Sequence, residues 1–385
     1  MEKAIPTNDG LTSGSRQYYL DWLRAITILL VFLFHCGRFF DFDDWHVKDA
    51  TLSPLANFLT FFLVEWMMPM FFFISGASTW YALWSKTSGR FIMDRVKRIL
   101  VPLLFGVFIL SPHQVYLERL THHQFTGGLI DFLPHYFSGW YAFGGNFAWM
   151  GLHLWYLLLL FIFSLVALPL FLFLKRIRQR PGSARRTMLY LVGFVVVLAL
   201  PGCLLTPDGV LGMRVWGGWN IIEHLFLFIL GYYAFSRPEI TRSWLAYRYS
   251  FLVITVLLTI VNLYLFLHHT GFAFGTGAYA LKIVLRAAVC LAWIFTLIGF
   301  AESKLNYTNS YLKYCNEAVL PFYIIHQPVI ILIGYYIVQL QAPIGAKYLM
   351  IMVSSFIIVV ALYEFLIRRV AVLRFLFGMS KAVRR

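Results

Sequence analysis

Apolar runs long enough to cross a bilayer as helices recur from one end of the chain to the other. No other feature constrains the fold so tightly, because a backbone in hydrocarbon must satisfy its hydrogen bonds within its own structure. Ten such runs are read, near 20–40, 55–82, 99–117, 149–174, 187–205, 219–235, 249–267, 278–300, 318–340 and 347–367. The expected fold is an all-α polytopic membrane protein: ten transmembrane helices in a single domain over 1–385. A short segment, 1–19, would precede them and a basic tail, 368–385, would follow. The first run is too long for a signal-peptide core and lacks a small-residue cleavage pattern after it, so it counts as a span.

Composition removes the competing classes. Of 385 residues only 13% are charged and 60% are hydrophobic, whereas soluble chains carry about 25% charged residues. The net charge of +15 would suggest nucleic acid in a soluble protein. Its placement argues otherwise. Lys86, Arg90, Arg95, Lys97 and Arg98 follow the second run, and Lys175, Arg176, Arg178, Arg180, Arg185 and Arg186 the fourth. Arg237, Arg242 and Arg248 follow the sixth, and Lys304 and Lys313 the eighth. Lys3, Arg16 and Arg24 open the chain, while Arg368, Arg369, Arg374, Lys381, Arg384 and Arg385 close it. The opposite connections hold Asp41, Asp43, Asp44, Asp49, Glu118, Asp131 and Asp208. By the positive-inside rule the basic side is cytoplasmic. Both termini are expected there, in an inner or plasma membrane, with lipid as surroundings and no nucleic-acid partner. Cys36, Cys203, Cys290 and Cys315 have no paired spacing, and no metal site is expected.

Ionisable groups within spans are functional candidates by default. Here they are Arg24, His35, Glu65, His113, His153, Glu223, His224, Glu317, His326 and Glu364. Eleven residues separate Arg24 from His35, close to three full helical turns, so the two share one face about 16 Å apart. A fixed cation and a titratable imidazole so placed suit a long ligand with an anionic head. The alternative is an arginine reaching the headgroups and a packed histidine. Arg95 and Arg98 lie at i and i+3 and can converge on one phosphate; otherwise they are flanking charge. Glu65 falls at a depth similar to His35 and would either orient that imidazole or bond a neighbouring helix. His153, Glu223 and His224 open their spans near the outer surface and could simply face water. His326 stands between Pro321 and Pro328, each of which frees a backbone carbonyl. The aromatic stretch 135–149 reads as an interfacial belt, with stacking on sugar rings as the alternative.

The Arg24-to-His35 spacing, the Phe71-Phe-Phe-Ile-Ser-Gly76 segment with Ser75, and Arg95-Val-Lys-Arg98 resemble the first three motifs of the acyltransferase-three family of membrane acyltransferases. His153-Leu-Trp155-Tyr-Leu, Phe228-Ile-Leu-Gly-Tyr-Tyr-Ala-Phe235, His326-Gln-Pro328 and Leu362-Tyr-Glu364 with Leu373-Arg-Phe-Leu-Phe-Gly378 are similar to segments of its branch of periplasmic glucan succinyltransferases. The resemblance implies transfer of an acyl group, succinyl or acetyl, from cytoplasmic acyl-coenzyme A to a hydroxyl of an extracytoplasmic glycan. Acyl-coenzyme A would be a co-substrate, with no tightly bound cofactor. It implies a functional Arg24 and His35, with Arg95 and Arg98 serving the donor and Ser75 beside them. His35 and Glu65 are then the expected catalytic residues; His153, Trp155, Glu223, His326 and Glu364 are further candidates. The departures lie at the N-terminus and in the outer loops. Two rivals stand beside this reading: a secondary transporter, which should show an internal repeat, and a non-catalytic scaffold of a polysaccharide-export assembly.

Overall fold

Each apolar run folds as helix in the computed structural model, which describes residues 17–177, 184–209, 211–212, 216–268 and 271–380. Lys3, Arg16, Arg178, Arg180, Lys381, Arg384 and Arg385, which entered the charge argument, lie outside the described residues. No β-strand occurs among the described residues. The helices are α1 (Tyr18–Gly37), α2 (Pro54–Val64), α3 (Met67–Ser85), α4 (Ser88–Leu110), α5 (Pro112–Thr121), α6 (Leu152–Val166) and α7 (Leu168–Arg176). There follow α8 (Ala184–Leu204), α9 (Ile221–Phe235), α10 (Pro238–Ala246), α11 (Arg248–Leu267), α12 (Gly277–Lys304), α13 (Ser310–Ile337), α14 (Ile344–Ile367) and α15 (Ala371–Leu376).

Local chemistry explains many of the boundaries. Ser53, Thr87, Asn220, Thr276 and Asn309 cap helix starts through side-chain oxygens that accept from backbone N–H groups. Pro112 starts α5 and Pro169 lies in the first turn of α7, positions where a missing N–H costs nothing. There the paths bend by 42° between α4 and α5 and by 49° between α6 and α7. Pro321 and Pro328, by contrast, sit inside α13, which runs through both without a break.

Of the ten expected spans, not all appear as full-length apolar helices. Among the described residues, six helical segments are long and apolar enough to cross a membrane, and eight if each bent pair is one crossing. The runs at 187–205 and 219–235 give shorter apolar helices, Leu189–Leu204 and Ile221–Phe235. Before α9, residues 216–220 turn into the bundle as loop. Trp216 and Trp219 are buried, and Trp219 Nε1 donates to Val64 O (3.0 Å). Several residues that apolar counting assigned to helix are therefore packed loop.

The tightest crossing is that of α3 and α9. A Cβ on Gly76 would stand 2.0 Å from Phe228 O, and one on Gly231 2.0 Å from Phe73 O. Glycine on both helices lets the backbones touch, the usual device of helix pairs in lipid. Against this pair pack α1, which meets α3, and α8 and α10, which meet α9, while α11 is peripheral, with 17% of its apolar window buried.

Candidate functional site

Unbroken α1 carries the sequence's spacing directly into three dimensions. Near the basic end of the bundle Arg24 lines a cavity of about 210 Å³ together with Arg95 and Arg98 of α4. Ser75, Tyr156 and Tyr323 add hydroxyls to its wall, and Ile28, Phe71, Leu157 and Leu160 make it largely apolar. Arg24 and the Arg95/Arg98 pair thus face one space, which flanking charge alone does not require.

Each arginine is set differently. Arg24 donates to Asp21 Oδ1 (2.7 Å) and to Ser78 Oγ. Arg95 donates to Thr79 Oγ1 (2.9 Å) and lies over the Phe91 ring at 4.7 Å, with its Nε unpartnered. Arg98 is exposed and makes no hydrogen bond with the described residues. It sits in a π-helical turn, Val96–Leu100, just before Pro102, which cannot donate to the Arg98 carbonyl. Gly378, at a positive φ of 67°, fits against that carbonyl; a Cβ there would stand 2.9 Å from it. Ser75 Oγ and Tyr156 OH share a hydrogen bond of 2.7 Å.

Tyr323, in the cavity wall, adjoins a group of imidazoles outside that lining. Pro328 leaves the Ile324 carbonyl without its helical donor, and His153 Nε2 supplies one at 3.1 Å. Tyr323 OH donates to His153 O. His326 Nδ1 donates to Tyr323 O (2.6 Å), so its Nε2 is a lone pair, and this faces His35 Nδ1 at 3.2 Å. His35 Nδ1 also lies 2.9 Å from Val31 O, which can only accept. The proton of neutral His35 is therefore on Nδ1, shared between those two acceptors, and Nε2 is left basic. This assignment follows from the hydrogen-bond network. His326 and His153 are buried, and their rings lie 5.2 Å apart. Expecting His153 to face water was wrong: the carbonyl freed by Pro328 draws it inward.

At the acidic end the connection after α1 folds over the histidines. Arg38 and Lys48 clamp Asp41 at 2.6 and 2.7 Å, and Lys347 pairs with Asp49 at 2.6 Å. This fixes His46, whose Nδ1 meets Glu118 Oε2. Glu118 also accepts from Tyr141 OH (2.7 Å) and Arg119 Nη1 (2.9 Å). Burial, and then the Glu118 carboxylate, push the Tyr141 hydroxyl up, so it stays a donor. Residues 135–149 are thereby more than a belt. Tyr136 and Ala148 join Val115, Phe132 and Leu152 in a small core of their own, while Phe137, Trp140 and Phe143 stay exposed. Sequence reasoning missed the His46–Glu118 pair, since 72 residues and no common periodicity separate them.

Other candidates lie elsewhere. Glu65 does not meet His35; both its oxygens lie 3.2 Å from Arg286 Nε of α12. A buried carboxylate takes a cation within reach, and Arg286, stacked on Trp219 at 4.2 Å, supplies it. Glu223 does not face water. It is 1% exposed and closes a capping box, accepting from Asn220 N (2.8 Å) while its own N–H donates to Asn220 Oδ1 (2.9 Å). His224, equally buried, lies 2.8 Å from Trp216 O. Trp155 packs on His224, with ring centroids 5.2 Å apart. Glu364 pairs with Arg368 (3.0 Å), and Glu317 with Arg374 (3.0 Å), near the tail. His113 lies 3.2 Å from Pro328 O. Among the described residues no group of three or more His, Cys, Asp or Glu could hold a metal ion.

Against known proteins, residues 17–364 match the model of an acyltransferase domain. Glucans biosynthesis protein C of Escherichia coli (strain SMS-3-5 / SECEC) is 24% identical over 386 residues, 97% of either chain. The protein of that name from Salmonella paratyphi B is 23% identical over 380 residues, 94% of either chain. No solved structure matches.

Proposed function

The chain belongs to the family of membrane acyltransferases defined by that domain, and on that premise we propose that it moves an acyl group from acyl-coenzyme A to a hydroxyl of a glycan across the membrane. One observation carries the reading: Arg24, Arg95 and Arg98 converge on one cavity whose wall reaches Tyr323, three residues before His326, which faces His35. Coenzyme A matches this polarity. Its phosphates suit three guanidinium groups at the mouth, and its pantetheine arm suits apolar walls with a few hydroxyls.

In the proposed reaction His35 Nε2 takes the proton of the acceptor hydroxyl as oxygen attacks the thioester carbonyl. The C–S bond breaks, and the thiolate recovers the proton from the imidazolium. His326 accepts from His35 Nδ1 and so holds the imidazole in the basic tautomer. General-base assistance of this kind is worth about 10² to 10⁴ in rate. A glucan acceptor accords with the names of the relatives; succinyl and acetyl are the acyl groups proposed. The basic end would be cytoplasmic, with both termini there and ten crossings of an inner or plasma membrane, α8 and α9 supplying two of them.

The experiment is transfer of labelled acetyl or succinyl from coenzyme A to glucose oligosaccharides by the purified protein in lipid nanodiscs. Labelled ester that depends on both substrates supports the reading. A pure, folded protein that binds neither acyl-coenzyme A overturns it.

A further inference from the structure

A hydrogen-bond chain crosses the end of the bundle away from the arginines, and its direction follows from its two ends. At one end Gln114 Nε2 donates to Leu110 O (2.9 Å), a carbonyl that can only accept. That turns Gln114 Oε1 towards Gln327, whose Nε2 donates to it at 3.2 Å. At the other end the Glu118 carboxylate accepts a hydrogen bond from His46 Nδ1–H. His46 then presents a lone pair on Nε2, and Gln327 Nε2 lies 3.3 Å from it. Both amide hydrogens of Gln327 are used. The flipped amide would press two oxygens together at Gln114.

What remains is the Gln327 amide oxygen, with no donor among the described residues, on a residue 2% exposed. An amide oxygen can only accept, and its lone pairs are open to an incoming donor. Gln327 directly follows His326, whose Nε2 faces His35. The Trp45 ring lies beside both His46 and His35, at 5.5 and 6.1 Å between centroids. Resting on the acyl-transfer reading above, we propose that Gln327 Oε1 binds the acceptor by taking a hydrogen bond from a sugar hydroxyl, while His35 addresses the hydroxyl to be acylated. His46 and Glu118 are positioning residues: an acceptor-only carboxylate fixes the imidazole tautomer, and the tautomer fixes the amide. A site built to bond a hydroxyl discriminates strongly against a ligand lacking it, so this oxygen would also select polyhydroxylated acceptors.

The test uses the purified full-length protein, acetyl- and succinyl-coenzyme A, and a glucose oligosaccharide as the acceptor probe. Gln327→Ala should raise the KM for oligosaccharide about 10-fold, with acyl-coenzyme A affinity close to wild type and a lowered melting temperature, because Gln114 and His46 lose their donor. Glu118→Gln keeps the shape but lets His46 adopt the other tautomer, so it should raise the same KM. Because both variants act through one amide, their combination should add little to the larger effect. An unchanged oligosaccharide KM in Glu118→Gln overturns the proposal, as does a Gln327→Ala protein whose acyl-coenzyme A affinity falls as far as its acceptor affinity. Should Gln327→Ala fail to fold, Glu118→Gln decides alone. A wild-type protein with no transfer at all would sink the acyl-transfer reading, whereas wild-type transfer with unaltered variant KM sinks only the role of Gln327.

Discussion

Arg286 and Arg98 are both arginines of the helical bundle, in surroundings that contrast at every point. Arg286 has a buried carboxylate on its Nε, a tryptophan face beneath it and a neighbouring capped helix start at Asn220. Arg98 is exposed beside a cavity and bonds to none of the described side chains. Along the rest of that route the pattern repeats: Arg95 keeps an unpartnered Nε, and His35 a basic Nε2. One region closes its charges within the protein, as structure demands. The other pairs Arg24 with Asp21 yet leaves the Arg98 side chain and the Arg95 Nε without a hydrogen bond among the described residues, donors that a ligand can use. Glu65 and His35 looked alike by depth, and their partners separate them.

The comparison breaks first at Glu65. Glu65→Ala leaves Arg286 without its carboxylate, and removing one member of a buried pair costs about 3–5 kcal/mol. The variant should melt well below wild type, while any protein that remains folded should keep wild-type acyl-coenzyme A affinity. A stable variant with lost transfer would instead give Glu65 the orienting role that its depth suggested.

Next come the open arginines, where the balance reverses. Arg95→Ala and Arg98→Ala should each weaken acyl-coenzyme A binding by about 1.5–3 kcal/mol, the worth of a hydrogen bond to a charged group. For the exposed Arg98 the melting temperature should barely move. Wild-type affinity should also fall with added salt, since the pairing is partly solvent-exposed. Equal donor affinity in the Arg95→Ala/Arg98→Ala double variant would return the pair to flanking charge. The smallest effect belongs to the folded outer connection. Tyr141→Phe removes one donor to Glu118 and should cost about 0.5–1.5 kcal/mol of stability, read from thermal unfolding. No change would mean that Arg119 and His46 suffice to hold Glu118.

Much of this was legible in the sequence because helix periodicity carries it. Arg24 and His35 share a face by counting turns, and Arg95 and Arg98 converge because i and i+3 do. Ser75 falls at their cavity through the same motif order. Periodicity is silent about partners far apart in the chain. Glu65 finds Arg286 221 residues away, and His46 finds Glu118 72 residues away. Depth counting also failed wherever chain that is not regular helix turns inward: His153, Glu223 and His224 open their helices yet are buried, because 216–220 and the Ile324 carbonyl draw them in. The prolines of α13 were a sound pointer to an exposed carbonyl, but the helix does not break there. A side chain from α6 repairs it.

The central claim is that His35 does chemistry rather than packing, and His35→Gln tests it most directly. Glutamine keeps most of the volume and hydrogen bonding but cannot pass a proton. On one preparation, acyl-coenzyme A affinity and single-turnover acyl transfer to glucose oligosaccharide should be measured together. Affinity should stay at the wild-type value while the transfer rate falls by about 10² or more. Transfer at the wild-type rate, or a rate that falls only in step with donor binding, would contradict the account and leave His35 a structural residue.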